Sequence, residues 1–303
     1  MHELDQFRRT IRTRSGDLSA IDAGHGRVAL FVHGVGTNAL LWRHVIAKLQ
    51  SERRCIAIDL PLHGHSPARG DQDYSMGTLA EMLEDVCGSL ELTDIDLVAN
   101  DTGGGVAQVF AARHSGRLAT LSLTNCETHD QVPPASFAPT VWLARLGVLT
   151  LLSGFVVRRP ALARKVMYGS GYEHPERIGL DVIQAYVEPL GATKSAARQF
   201  NRWLAEMNPQ DLLAVEPQLR RLTVPTLVVW GTGDRIFHKR WAYWLKQTIP
   251  GVTEVVELEG ARLFFPDERA DELVGFLRRH WGVGVESRPP AAIDSPSPQP
   301  PPI

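Results

Sequence analysis

The segment from Ile95 to Phe110 constrains this chain more than any other. Ile95, Leu97 and Val98 read as a short buried strand, and Val106, Val109 and Phe110, spaced three and four apart, read as a helix. Between them stands Asp101, with Ala99 before it and Gly103 and Gly104 after it. A polar residue on so tight a strand-to-helix turn is thrust out at the top of a sheet, the geometry of a nucleophile elbow. The small neighbours leave room for strand and helix to cross. Asp is also a good helix N-cap, so this stretch alone leaves two readings of Asp101, cap or reactive carboxylate.

The surrounding chain alternates strand and helix. Phe7 to Thr13 and Leu18 to Asp22 predict a hairpin turning at Ser15-Gly16-Asp17, with the first strand at a sheet edge. Val28 to Val32, Cys55 to Ile58, Ile95 to Val98, Leu118 to Thr124, Val224 to Trp230 and Thr253 to Leu258 are apolar runs suited to strands covered on both faces. Helical patterns separate them, so the expected fold class is α/β, a doubly wound, mostly parallel, eight-stranded sheet. Residues 133–217 interrupt the pattern with proline-punctuated helices rich in large apolar groups. The expected organisation is a core in two parts, residues 1–132 and 218–285, a helical cap over 133–217, and a disordered Pro- and Ser-rich tail over 286–303.

Composition narrows the function classes. A net charge of −2 argues against a nucleic-acid or membrane-surface partner. Cys55, Cys87 and Cys126 are scattered among apolar neighbours, which suits reduced core residues and a cytoplasmic protein. No His/Cys cluster implies a metal, and Gly103-Gly104-Gly105 lacks the spacing of a dinucleotide loop, so no cofactor is expected. The apolar run from Gly147 to Val157 is too short to span a bilayer and is expected to line a pocket.

Three motifs in order resemble the α/β-hydrolase fold over Phe7 to Trp281: His33-Gly34-Val35-Gly36, Asp59-Leu60-Pro61-Leu62-His63-Gly64-His65-Ser66, and Ala99-Asn100-Asp101-Thr102-Gly103-Gly104. An Asp at the elbow is similar to haloalkane dehalogenases and epoxide hydrolases. The resemblance implies that Asp101 attacks an sp3 carbon of a small apolar substrate and forms an ester that water cleaves. A carboxylate suits that step because it is already ionised at neutral pH. The backbone N–H groups of Val35 and Thr102 would form the oxyanion hole, and Glu127 or Asp234 would supply the acid that orients a base.

The sequence also departs from that family. His63 stands where Gly is usual, and the loop Glu259-Gly260-Ala261-Arg262-Leu263-Phe264 carries Leu263 where the base histidine is expected. No His occurs from Lys239 to Arg279. His129 and His238 are the candidate replacements; His33 suits a structural role. Arg262 is a candidate partner of Asp101, Asp234 or an anionic ligand. Thr102 and Val35 stand where the resemblance places the halide-gripping Trp and Asn; Trp142, Trp203 or Asn38 are candidate substitutes, and Tyr168, Tyr172 and Tyr186 are candidate acids for epoxide opening. Three readings follow: a hydrolase with a relocated base, a non-hydrolytic lyase or isomerase, and a ligand-binding protein on a hydrolase scaffold.

Overall fold

The computed structural model describes residues 3–282, so the Pro- and Ser-rich tail lies outside the described residues. Eight strands form one sheet: β1 (Arg8–Thr13), β2 (Gly16–Ala23), β3 (Val28–Val32), β4 (Arg54–Ile58), β5 (Ile95–Asp101), β6 (Leu118–Cys126), β7 (Thr226–Gly231) and β8 (Val252–Leu258). Their order is β1-β2-β4-β3-β5-β6-β7-β8. β1 and β2 pair antiparallel, as do β2 and β4, and every later neighbour is parallel. The hairpin turns at Arg14-Ser15, one residue before the predicted site, because Gly16 already pairs with Thr13. Arginines along β1 suit an edge strand, whereas β5, wholly buried, sits at the centre.

The helices, in chain order, are α1 (Arg43–Leu49), α2 (Met76–Ser89), α3 (Thr102–His114), α4 (Ala138–Arg145), α5 (Val148–Val157), α6 (Pro160–Ala163), α7 (Leu180–Gly191), α8 (Lys194–Glu206), α9 (Gln210–Leu219), α10 (Arg240–Thr248), α11 (Phe265–Glu268) and α12 (Ala270–His280). Helices α4 to α9 fall between β6 and β7, with no strand there among the described residues. They roof the ends of the strands from which Asp101 emerges. α9 packs back on α2 and α3.

The roof is stapled down by polar contacts. Arg262 Nη1 donates to the carbonyls of Gly169 (3.3 Å) and Tyr172 (2.8 Å). Arg269 pairs with both oxygens of Glu173 at 2.6 Å, and the Glu268 carboxylate accepts from the backbone N–H groups of Glu173 and His174. The buried carboxylate of Asp267 meets Arg43 at 2.9 Å and accepts from the Tyr172 hydroxyl at 3.2 Å. Burial raises its pKa to about 6, against the pull of the Arg43 guanidinium.

Candidate active site

Two loops are built around the end of β3. The ring of His33 donates from Nδ1 to its neighbour's carbonyl and accepts the Leu60 N–H at Nε2 (2.9 Å). His63 donates from Nδ1 to Pro61 and accepts the Gly36 N–H at Nε2 (3.0 Å). Both rings are therefore held as neutral tautomers with no nitrogen to spare. Burial lowers their pKa values to about 4 for His33 and about 3 for His63. His63 also meets the edge of Trp203, which stacks on Tyr74 with centroids 4.5 Å apart. A ring at this position thus wedges core against roof. Asp59 joins the same frame: its carboxylate accepts from the N–H groups of Ala39 and His65 and pairs with Arg8 at 2.5 Å. These bonds fix the loop from His33 to Asn38 beside the elbow.

Asp101 ends β5 with φ 57° and ψ −135° and makes no side-chain bond that caps α3. A non-glycine residue held there stores on the order of 1–3 kcal/mol of backbone strain. The cap reading of its side chain is not what the geometry gives. Crowding enforces the turn. A Cβ on Gly34 would lie 2.3 Å from Asp101 Oδ2, one on Gly103 2.4 Å from the His33 carbonyl, and one on Gly104 2.3 Å from Cys126 Cβ. Gly34→Ala is accordingly expected to cost about 1–3 kcal/mol in urea unfolding by forcing loop and elbow apart; an unchanged midpoint would show that the loop yields freely.

Three carboxyls converge on this turn. Asp101 pairs in register with Cys126 of β6, so Glu127 follows directly on the adjacent strand. The Thr102 hydroxyl donates to Glu127 Oε1 at 2.9 Å. Glu127 Oε2 is buried with no hydrogen-bond partner among the described residues. Asp234, after β7, accepts from Asn125 Nδ2 at 2.7 Å and from the Ile236 N–H at 2.7 Å. Burial raises all three: Asp234 to about 6, Glu127 to about 7, and Asp101 well above the usual carboxylate range. The negative neighbours Glu127 and Asp234 add to the rise at Asp101, and the Thr102 N–H opposes it.

Other candidates lie elsewhere. His129 binds Glu216 at 2.8 Å and packs beside Trp244. His238 is exposed, and its Nδ1 accepts the Arg240 N–H. Neither is among the groups that act on Asp101, which are Glu127, Asp234 and Thr102. Arg262 is occupied with the roof carbonyls and pairs with neither Asp101 nor Asp234. Trp142 points outward, 61% exposed, and Trp203 is packed behind His63, so neither forms the expected pocket wall. Asn38 is used up by Leu40 and Ala185. Among the tyrosines, Tyr168 donates to the Gly36 carbonyl (2.5 Å) and Tyr172 to Asp267.

The loop after β8 does reach the elbow. Asn100 Nδ2 donates to the Leu263 carbonyl at 3.0 Å, so a leucine, 2% exposed, stands beside the turn. Sequence reasoning missed Asn125, which accepts the Gly231 N–H and donates to Asp234, thereby tying β6, β7 and the third carboxyl together. Its signal was an amide just before Glu127 at the mouth of a buried strand.

Comparison with known proteins agrees with this architecture. A family model described as the alpha/beta hydrolase fold matches residues 28–158. A cis-3-alkyl-4-alkyloxetan-2-one decarboxylase of Shewanella oneidensis is 25% identical, over 93% of this chain and 90% of its own. Haloalkane dehalogenase 2 of Mycobacterium tuberculosis is 26% identical, over 88% of this chain and 92% of its own. The solved structure of the epoxide hydrolase CorEH superposes with a TM-score of 0.78 at 18% identity, covering 91% of this chain and 98% of that one. By its fold and by the stretch that the family model matches, the chain is similar to proteins of the α/β-hydrolase fold. In sequence it resembles a haloalkane dehalogenase, and in fold an epoxide hydrolase.

Proposed function

We propose that the protein is an enzyme acting on an electrophilic carbon of a small apolar molecule, with Asp101 as nucleophile and Glu127 as the base that completes turnover. The observation that carries this reading is the buried Asp101–Glu127 pair with no contacting cation or imidazole among the described residues. Two such buried carboxyls do not both ionise at neutral pH, so one of them carries a proton. When the proton sits on Glu127, an Asp101 oxygen is free to bond to the substrate carbon. The bond to halide or epoxide oxygen breaks, and the leaving group takes the electron pair.

The ester removes the charge of Asp101. With that charge gone, Glu127, at about 7, releases its proton to solvent along with the halide and then suits a general base near neutral pH. It takes a proton from water, and the hydroxide adds to the ester carbonyl. The oxyanion forms against the N–H groups of Thr102 and Val35. Collapse expels the alcohol oxygen, which recovers the proton from Glu127. The sum for a halide is R–X plus water giving R–OH and HX. Asn125 and Asp234 hold the neighbouring strand ends in place.

A second reading is favoured by the decarboxylase relative. Fragmentation of an oxetan-2-one to an alkene and carbon dioxide consumes no water, so the lack of an imidazole on Asp101 costs that reaction nothing. One experiment separates the readings: incubation with haloalkanes, epoxides and oxetan-2-ones in ¹⁸O-water, with mass analysis of products and of the peptide containing Asp101. Turnover with adduct mass or ¹⁸O on Asp101, absent in Asp101→Asn, supports hydrolysis. Release of carbon dioxide and alkene with no adduct and no ¹⁸O on Asp101 selects the second reading. Ligand-raised Tm without turnover or adduct would overturn both in favour of a binding protein.

A further inference from the structure

The apolar run expected to line a pocket does the opposite. Leu151 is 83% exposed, Phe155 53% and Leu152 51%, and only Val157 of α5 is buried. On α4 and at its C-terminal cap, Trp142 and Leu146 project one turn apart, 61% and 56% exposed. Both helices pack on α8, so their uncovered residues lie on the side of the roof away from it. Outside residues 142–180, only Leu213 and Tyr243 among the described residues are large apolar side chains comparably exposed. A patch of this kind marks a surface that something covers.

Charge indicates what covers it. From Gln131 to Tyr172 the chain carries Arg145, Arg158, Arg159, Arg164 and Lys165 and not one Asp or Glu. Elsewhere arginines meet carboxylates: Arg54 with Asp22, Arg117 with Glu84, Arg269 with Glu173 and Arg278 with Glu52. Those five cations do not, among the described residues. Arg145 and Arg164 donate to carbonyls, and Arg159 lies 3.8 Å over the Phe155 ring while donating to the Phe155 carbonyl. A protein of net charge −2 thus concentrates unneutralised positive charge around its most exposed apolar helix. Averaging over the whole chain hides this, which is why its overall charge argued against a membrane surface.

We infer that α4 and α5 form a peripheral docking surface for anionic phospholipid bilayers, with Trp142, Leu146, Leu151, Leu152 and Phe155 entering the interface. Leu, Phe and Trp on one face with arginine at the flanks is the composition of a helix lying in the headgroup plane. No single described helix is long and apolar enough to cross a bilayer, and the α4–α5 pair bends by 102° at Gly147, which suits a surface-lying arrangement. The arrangement would turn the roof toward the lipid that dissolves apolar substrates, yet it stands independently of the chemistry at Asp101.

The test is flotation with vesicles of phosphatidylcholine alone or mixed with phosphatidylglycerol, for the wild type, Leu151→Asp and the double variant Arg158→Glu/Arg159→Glu. All three changed side chains are exposed, so each variant is expected to keep the wild-type Tm. Binding to the mixed vesicles, weakened by salt and reduced on the order of tenfold or more in both variants, is the expected result. A blue shift of tryptophan emission on binding, lost in Trp142→Phe, would accompany it. Failure to float with anionic vesicles overturns the inference. So does a dimer in light scattering that Leu151→Asp dissociates, because a second copy would then cover the face.

Discussion

Glu127→Gln is expected to slow steady-state turnover by about 10²–10⁴-fold, the usual worth of a positioned general base, while leaving one rapid release of the first product per chain. The reason lies in the division of labour at the elbow. Bond formation to carbon needs only an ionised Asp101, and the amide of the variant removes a negative neighbour that opposes its ionisation. Cleavage of the ester needs a proton acceptor, which an amide is not. The Thr102 hydroxyl can still donate to the amide oxygen, as it does to Glu127 Oε1. Rapid-quench product counting against enzyme concentration, with mass analysis of the Asp101 peptide, reads both halves. A burst followed by an accumulating adduct is the expected pattern. Unchanged turnover would remove Glu127 from the mechanism and leave water-free fragmentation as the better account.

The same substitution is expected to stabilise the fold above neutral pH. Burial raises the Glu127 pKa from 4.5 to about 7. A carboxyl with a raised folded pKa contributes its stability at low pH and loses it as pH rises through the folded value. Wild-type stability therefore declines between those two values, because the unfolded chain releases the proton that the folded one keeps. The loss amounts to roughly 3 kcal/mol on the high-pH side. Gln carries no such penalty. The variant should match the wild type below about pH 4 and exceed its Tm on the order of 5–10 °C above about pH 8. Melts across that range check it, and parallel curves would show that the carboxyl ionises unhindered. A site that gains stability when its charge is removed is held against its own electrostatics, as expected where strain and buried charge serve chemistry.

Much of the frame was legible beforehand. Apolar runs gave the strands to within about three residues, and the three and four spacing gave α3, because both signals are local consequences of how side chains alternate or wind. The hairpin turn shifted slightly, since strand ends depend on hydrogen bonds made with the rest of the molecule. His63 looked like a departure from a glycine motif. In the fold it is a neutral ring held by the Gly36 N–H and by Trp203, contributed by a helix far along the chain.

The sequence by itself determined the alternation of strand and helix, the order of the motifs, the carboxylate on the central turn, and the leucine in the loop that reaches it. These follow from neighbours a few positions apart. Only the tertiary structure decided that Glu127 and Asp234 close on Asp101 while His129 and His238 find partners elsewhere, and that α5 faces outward. Those outcomes depend on residues far apart along the chain, such as Asn125 with Asp234 and Arg262 with Tyr172. Side-chain partnership and burial are set by which surfaces meet when the sheet is assembled, and no local pattern encodes that.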